Sequence, residues 1–166
     1  MGSAYWDSPT PAITPNETIY LLKLHGSLNW QLPAGDAAEI YLKQRLHQQY
    51  GTPRFTIIPP EWNKGAREQP VFNLLWRRAF NAIQRAEQIA IVGFSFTPTD
   101  LHVESLFRLA LAKSKLRTLV IANPSFEDRQ RIRRVFAGSL AANGTVVRQY
   151  DSLQAMVAAW PHCLNG

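Results

Sequence analysis

Residues 89–100 read I-A-I-V-G-F-S-F-T-P-T-D, an apolar run that stops abruptly at Gly93. A continuous apolar run of this kind is typical of a buried parallel strand. Small and hydroxyl residues follow, and Asp100 stands where a helix N-cap is expected. Ligands of open α/β sheets bind just beyond the carboxyl ends of such strands, so the stretch indicates one wall of a ligand crevice. A glycine after a buried strand is also common as plain turn geometry, and this stretch alone leaves both interpretations open.

The sequence around this stretch alternates between strand and helix patterns. Three segments have the apolar composition of strands: residues 88–92, 118–122 and 145–149. Helices are predicted at residues 70–87, at 101–113, after the S-x-x-D cap of Ser125 and Asp128, and from a cap at Asp151 and Gln154 to about residue 160. Residues 137–144 are predicted as a loop. Such alternation predicts an α/β fold, with a Rossmann-like parallel sheet and helices on both faces. No glycine-rich G-x-G-x-x-G loop opens a first βαβ unit.

The amino-terminal half has weaker patterns. Its proline-rich start predicts an extended lead-in over residues 1–18, followed by one domain over 19–162 and a short tail over 163–166. Residues 18–24 predict a strand with a well-buried face that runs directly into His25 and Gly26. The glycine beside this histidine would let the backbone turn or let a ligand approach. Residues 55–58 predict a short strand closed by two prolines.

Composition excludes several classes of protein. The single cysteine, Cys163, excludes an intramolecular disulfide framework and a thiolate zinc cluster, and fits a reducing compartment. No apolar stretch approaches the ~18 residues of a membrane span, and no signal peptide is visible, so a cytoplasmic location is expected. The net charge of +6 includes a basic run at residues 129–134. We predict a solvated helix face there, with a phosphate-binding patch as the alternative, and nucleic acid is an unlikely partner without a recognition motif.

Five short segments, taken together and in their order along the chain, resemble a known family. They are residues 22–30 (L-K-L-H-G-S-L-N-W), 57–60 with Lys64, 74–76 (L-L-W), 91–96 with Thr99 and Asp100, and 121–124 (I-A-N-P). This ordered set, between about Ile19 and Tyr150, resembles the SIR2-like family in its divergent bacterial branch. The resemblance implies an NAD⁺ hydrolase that releases nicotinamide, of the kind that serves in antiphage defence.

The resemblance also implies roles for individual residues. His25 would be the general base, and NAD, as substrate, would contact Gly26, Gly93, Phe94, Ser95, Asn123, Tyr150 and Asp151. The residue types suit this chemistry, because an imidazole titrates near neutral pH and can take a proton from an attacking water. The alternative for His25 is a structural histidine whose ring bonds a backbone carbonyl.

Two departures from the family pattern qualify this prediction. Residues 31–54 contain no cysteine, so the zinc module of sirtuin deacetylases is absent, no zinc is expected, and an NAD-dependent protein deacylase is only a second alternative. The family's glycine-rich NAD loop has no counterpart before residue 19, so the chain resembles the C-terminal part of a SIR2-like domain. A catalytically inactive module that binds or senses NAD or ADP-ribose is therefore the first alternative. The missing N-terminal half or a second copy of the chain is a possible partner.

Overall fold

The computed structural model describes residues 20–28, 30–31, 41–42, 57 and 70–159. The chain divides into two compact units, a first unit of Met1–Arg77 and a second unit of Arg78–Gly166. The predicted lead-in over residues 1–18 and the predicted tail over 163–166 lie outside the described residues.

Short antiparallel pairing characterises the first unit. Strands β1 (Trp30–Gln31) and β2 (Tyr41–Leu42) pair with Trp30 opposite Leu42. An isolated antiparallel bridge joins Gly26 to Ile57, the described residue of the predicted strand at 55–58. Helix α1 (Pro70–Arg85) begins at the predicted proline, whose fixed φ and missing N–H suit a first helical turn. It ends two residues before the predicted boundary.

The strand predicted for residues 18–24 is wrong over its described residues. Residues 20–23 are irregular, and the Gly26 N–H donates to the Lys23 carbonyl at 3.0 Å to close a turn. Tyr20 and Leu21 are 70% and 61% exposed, so the segment lacks the well-buried face that its composition predicts. The left-handed φ of Gly26, 79°, directs the backbone into this turn. Strand propensity alone does not form a strand unless a neighbouring strand pairs with it.

Three parallel strands form the sheet of the second unit, in the order β3 (Gln88–Val92), β4 (Thr118–Ala122) and β5 (Val146–Tyr150). Helices α2 (Leu101–Leu111) and α3 (Phe126–Asn143) connect them, and α4 (Leu153–Ala158) follows β5. Helical crossovers are what parallel neighbours require, because a hairpin can join only antiparallel strands. The predicted α/β class, with a parallel sheet, is therefore confirmed.

Strand β4 lies at the centre of the core of the second unit. All five of its residues are buried, as its continuous apolar run predicts. Val120 and Ala122 pack against Met156 of α4. Leu119 and Ile121 alternate with them onto the opposite face and are fully buried there. Helix α3 contacts β4 and packs against α2, so the sheet's central strand is covered on both faces.

Helix α3 extends through residues that were predicted as a loop. It continues to Asn143, and only Gly144, with a left-handed φ of 62°, lies outside it as the C-cap. An isolated glycine such as Gly138 costs a helix only about 1 kcal/mol relative to alanine. Tertiary contacts outweigh that cost, because the buried hydroxyl of Ser139 lies 3.1 Å from that of Ser114.

Helix α4 has a different cap from the predicted one. The hydroxyl of Ser152, and not the carboxylate of Asp151, accepts a hydrogen bond from the Ala155 N–H at 3.1 Å. Ser152 has the extended backbone of an N-cap, with φ −148° and ψ 160°. Asp151 therefore lies one position outside the helix, between β5 and the cap.

Candidate functional site

The carboxyl ends of β3, β4 and β5 meet at one edge of the sheet, and backbone hydrogen bonds cross this edge. The Gly93 N–H donates to the Ala122 carbonyl at 3.0 Å, and the Asn123 N–H donates to the Tyr150 carbonyl at 3.1 Å. Six residues that the sequence predicts as ligand contacts therefore follow or end these strands: Gly93, Phe94, Ser95, Asn123, Tyr150 and Asp151.

The side chain of Asn123 joins the loop after β3 to the start of α3. Asn123 is 5% exposed, and its Oδ1 accepts a hydrogen bond from the Ser125 N–H at 2.9 Å, as in an Asx turn. Its Nδ2 donates to the Phe94 carbonyl at 3.5 Å. Ser125 in turn caps α3 by accepting from the Asp128 N–H at 3.2 Å, which confirms the predicted S-x-x-D cap. Asn123 therefore connects the loop after β3 to the start of α3 at the carboxyl edge of the sheet.

Replacing Asn123 by alanine is expected to lower the free energy of unfolding of the second unit by about 1–3 kcal/mol. The substitution leaves the Ser125 N–H and the Phe94 carbonyl without this partner in a partly buried site. Urea denaturation measures the change. The matched control is Asn81→Ala on the exposed face of α1, expected to stay within about 0.5 kcal/mol of the wild type. Equal losses in the two variants would contradict this role of Asn123.

The loop after β3 has two residues with left-handed backbone. Gly93 has φ 65° and Phe96 has φ 49°, and a bulky side chain rarely adopts such a value. The Arg131 guanidinium, which is paired with the Asp128 carboxylate at 2.9 Å, donates to the Ser95 carbonyl at 3.4 Å. The fully buried ring of Phe96 packs among three other rings, those of Phe94, Phe107 and Phe136. Helix α3 and this aromatic cluster thus determine the position of the loop.

A cavity of about 450 Å³ opens at the end of β5. Its lining residues are Phe126, Arg129, Gln149, Tyr150 and Asp151. Phe126 is the first residue of α3, and its side chain is 64% exposed. The Arg129 guanidinium lies 5.8 Å from the centre of the Phe126 ring, and it donates to the carbonyls of Asn123 and Pro124. The volume falls within the range of small-molecule sites, roughly 300–1,000 Å³.

The cavity combines groups that suit a planar, polar ligand. An exposed aromatic ring and a planar guanidinium are both groups on which a flat heterocycle can stack. The Asp151 carboxylate accepts hydrogen bonds, and an arginine side chain donates them. The sequence interpretation identified Tyr150 and Asp151 but missed Phe126 and Arg129. The available signal was a large apolar residue, Phe126, directly after a cap and off the buried stripe that includes Ile132, Val135 and Phe136.

His25 lies in the first unit, in the turn that precedes Gly26. Its half-buried ring is 6.3 Å from the ring of Trp76, at an interplanar angle of 85°. The Trp76 indole N–H also donates to the Leu24 carbonyl at 3.1 Å. Helix α1, which carries Trp76, therefore contacts both the imidazole and the backbone just before it. Lys23 and Ser27 add a hydrogen bond of 3.0 Å across the same turn.

Comparisons of the chain with protein-family models, with curated proteins and with solved structures give no match. The SIR2-like resemblance therefore stays a prediction from the residues that carry it. In the part of the chain that the structure describes, no group of three or more His, Cys, Asp or Glu side chains could hold a metal ion. No helix among these residues combines the length and the apolar character needed to cross a membrane.

Proposed function

We propose that the second unit is Rossmann-like and binds a nucleotide of the NAD or ADP-ribose class at the carboxyl edge of its sheet. The observation that carries this proposal is the cavity at the end of β5, with the exposed Phe126 ring and the adjacent Arg129 guanidinium. Parallel α/β sheets bind ligands beyond the carboxyl ends of their strands. A purine base would stack on Phe126.

Groups along the same edge suit the rest of such a ligand. The exposed hydroxyls of Thr97 and Thr99 lie 3.0 Å apart in the loop before α2 and share a hydrogen bond. Hydroxyls can bond both to ribose and to phosphate oxygens. The Asp100 carboxylate caps α2, with the Val103 N–H donating at 3.4 Å, so its role as a cap is structural. We assign the sugar and phosphates to the side of the edge formed by residues 93–99.

On the resemblance to SIR2-like proteins, we further propose that NAD⁺ is hydrolysed, with His25 as the general base. The bond between nicotinamide and ribose breaks, and nicotinamide leaves with the bonding electron pair. A water molecule attacks the oxocarbenium-like carbon of the ribose and passes a proton to His25, which returns it to solvent. The products are nicotinamide, ADP-ribose and one proton. Neutral hydroxyl and amide groups can bond to the ribose without placing positive charge beside the developing cation.

The second candidate function is that of a module that binds a nucleotide but catalyses no reaction on it. It is favoured by the composition of the cavity, since its aromatic, guanidinium and carboxylate groups suit binding and none of its lining residues is a histidine. Such a module would bind ADP-ribose or NAD⁺ through the second unit and would release no nicotinamide.

Titration calorimetry with ADP-ribose and with NAD⁺, together with chromatography of released nicotinamide, tests these proposals. Binding with nicotinamide release supports the hydrolase. Binding of both ligands without release supports the module. The absence of heat with either ligand contradicts nucleotide binding at this edge.

Replacing Phe126 by alanine is expected to weaken ADP-ribose binding roughly five- to 150-fold, because stacking of a base on an aromatic ring contributes about 1–3 kcal/mol. The exposure of Phe126 means that folding should change little. Calorimetry measures the affinity. Leu109→Ala is the matched control, because Leu109 is 67% exposed on α2 and does not line the cavity. An unchanged affinity in the Phe126 variant would show that the base does not stack there.

A further inference from the structure

We propose that a second cavity, between helices α2 and α3, binds a small α-amino acid with an apolar side chain, such as leucine, in its zwitterionic form. The cavity has a volume of about 310 Å³ and belongs to the second unit. Because the last turns of α2 and α3 line it, it lies towards the amino ends of the strands, at the opposite end of the sheet from the nucleotide site. Its walls include Arg108, Leu111, Val135, Gly138, Ala142 and Asn143.

Gly138 leaves open space in the wall that α3 forms. A Cβ atom added at this position would meet no atom within 4 Å beyond the backbone of its own helix. Close packing therefore does not require a glycine here, although glycine is the poorest helix former apart from proline. The missing side chain keeps this part of the cavity open to a ligand.

A directed chain of hydrogen bonds leaves one acceptor on Asn143. The Ser114 hydroxyl donates to the Leu111 carbonyl at 3.1 Å, so the Ser139 hydroxyl, 3.1 Å away, is the donor to Ser114. The Asn143 Nδ2 donates to the Ser139 Oγ and to the Ser114 carbonyl, both at 3.1 Å. A carbonyl can only accept, which fixes the orientation of this amide. No hydrogen bond in the described part of the chain engages the Asn143 Oδ1, which is left as an acceptor.

The charges around the cavity favour a ligand that carries both signs. The Arg108 Nε donates to the Glu104 carboxylate at 2.8 Å, and no hydrogen bond of the described residues engages the two Nη atoms of Arg108. These nitrogens can donate in parallel to a carboxylate. The ends of α2 and α3 add partial negative charge, which stabilises a cation. Because Glu104 already balances Arg108, a zwitterion suits this site better than a lone anion.

An α-amino acid presents the complementary groups within a small volume. Its carboxylate would pair with Arg108, and its ammonium would donate to the Asn143 Oδ1. Its side chain would contact Leu111, Val135 and Ala142, which give the cavity its apolar wall. Leu111 and Val135 are only 4% and 5% exposed, so packing holds this wall in place.

An amide NMR titration of the full chain tests the chemistry of the ligand. L-leucine is compared with N-acetyl-L-leucine, which has no ammonium, and with L-leucinamide, which has no carboxylate. L-leucine is expected to shift the amide signals of residues 108–114 and 138–143, and each analogue to bind about tenfold more weakly or worse, as for the loss of a charged hydrogen bond. Equal binding of the three compounds, or no shift with L-leucine, L-valine or L-methionine, overturns the proposal.

Two substitutions test the location of the site. Gly138→Leu fills the open space and is expected to abolish the shifts with L-leucine. Ala137→Leu is the matched control, because it adds a side chain at an exposed neighbouring position that does not line the cavity, and it should leave binding unchanged. Arg108→Ala should weaken L-leucine binding about tenfold or more and change the affinity for L-leucinamide less than about twofold.

Circular dichroism confirms that each variant folds, and the half-exposed side chain of Arg108 makes its replacement the safer of the two. Unchanged L-leucine binding in Arg108→Ala or in a folded Gly138→Leu variant overturns the site, as does an equal loss in Ala137→Leu. These outcomes are independent of nucleotide binding at the carboxyl edge, because the two cavities share no lining residue.

Discussion

Replacing Phe96 by alanine is expected to lower the free energy of unfolding of the second unit by about 3–5 kcal/mol, the usual cost of removing a buried phenylalanine. The Phe96 ring is fully buried, with its centre 4.8 Å from that of Phe94, 5.1 Å from Phe107 and 6.4 Å from Phe136. Its left-handed backbone costs about 1–3 kcal/mol, and the burial of the ring offsets that strain. The loss should appear as a lower urea midpoint with an unchanged slope.

Comparing Phe96→Gly with Phe96→Ala separates the energetic cost of the left-handed backbone from the cost of the cavity that the lost ring leaves. Phe96→Gly removes the same ring as Phe96→Ala and in addition only the Cβ atom, but glycine adopts a φ of 49° without a steric penalty. The glycine variant is therefore expected to be more stable than the alanine variant by about 1 kcal/mol. Phe107 provides the matched control, because it belongs to the same aromatic cluster but lies within α2. There the order should reverse, with glycine less stable than alanine by about 1 kcal/mol. The same order at both positions would contradict a strained Phe96.

Replacing His25 by alanine is expected to slow nicotinamide release from NAD⁺ by about 10²–10⁴-fold, the usual contribution of a general base. The measurement is the rate of nicotinamide formation at saturating NAD⁺.

His102→Ala is the control for the loss of a histidine. His102 lies on α2 and has no place in the proposed mechanism, so its removal should leave the rate unchanged. Equal rates for wild type and His25→Ala would remove His25 from the mechanism. They would favour the structural alternative, in which His25 serves the turn that packs against Trp76.

Much of the second unit could be predicted from local sequence. The bounds of β3 and β4, the start of α1 at Pro70 and the cap of α3 at Ser125 all agree with the structure. Each depends on neighbouring residues only: an apolar run bounded by turn residues, a proline in a first turn, or a hydroxyl three positions before an acid. The carboxyl edge, with Gly93, Asn123 and Tyr150, was predictable for the same reason, because parallel strands end on the same side.

Contacts between residues that are distant in the chain determine the features that the local sequence does not predict. The candidate cavity was only half predictable, because Arg129 and the start of α3 meet the end of β5 only in the folded chain. Residues 20–24 have the composition of a strand, yet residues 20–23 are irregular and the chain turns at residues 24 and 25, where the Gly26 N–H donates to the Lys23 carbonyl. Helix α3 continues past Gly138 because Ser139 meets Ser114, twenty-five positions away. The sequence by itself therefore determined which segments are helices and strands of the parallel sheet. Only the tertiary structure decided where α3 ends and which side chains line the candidate site, because those depend on contacts that local sequence does not encode.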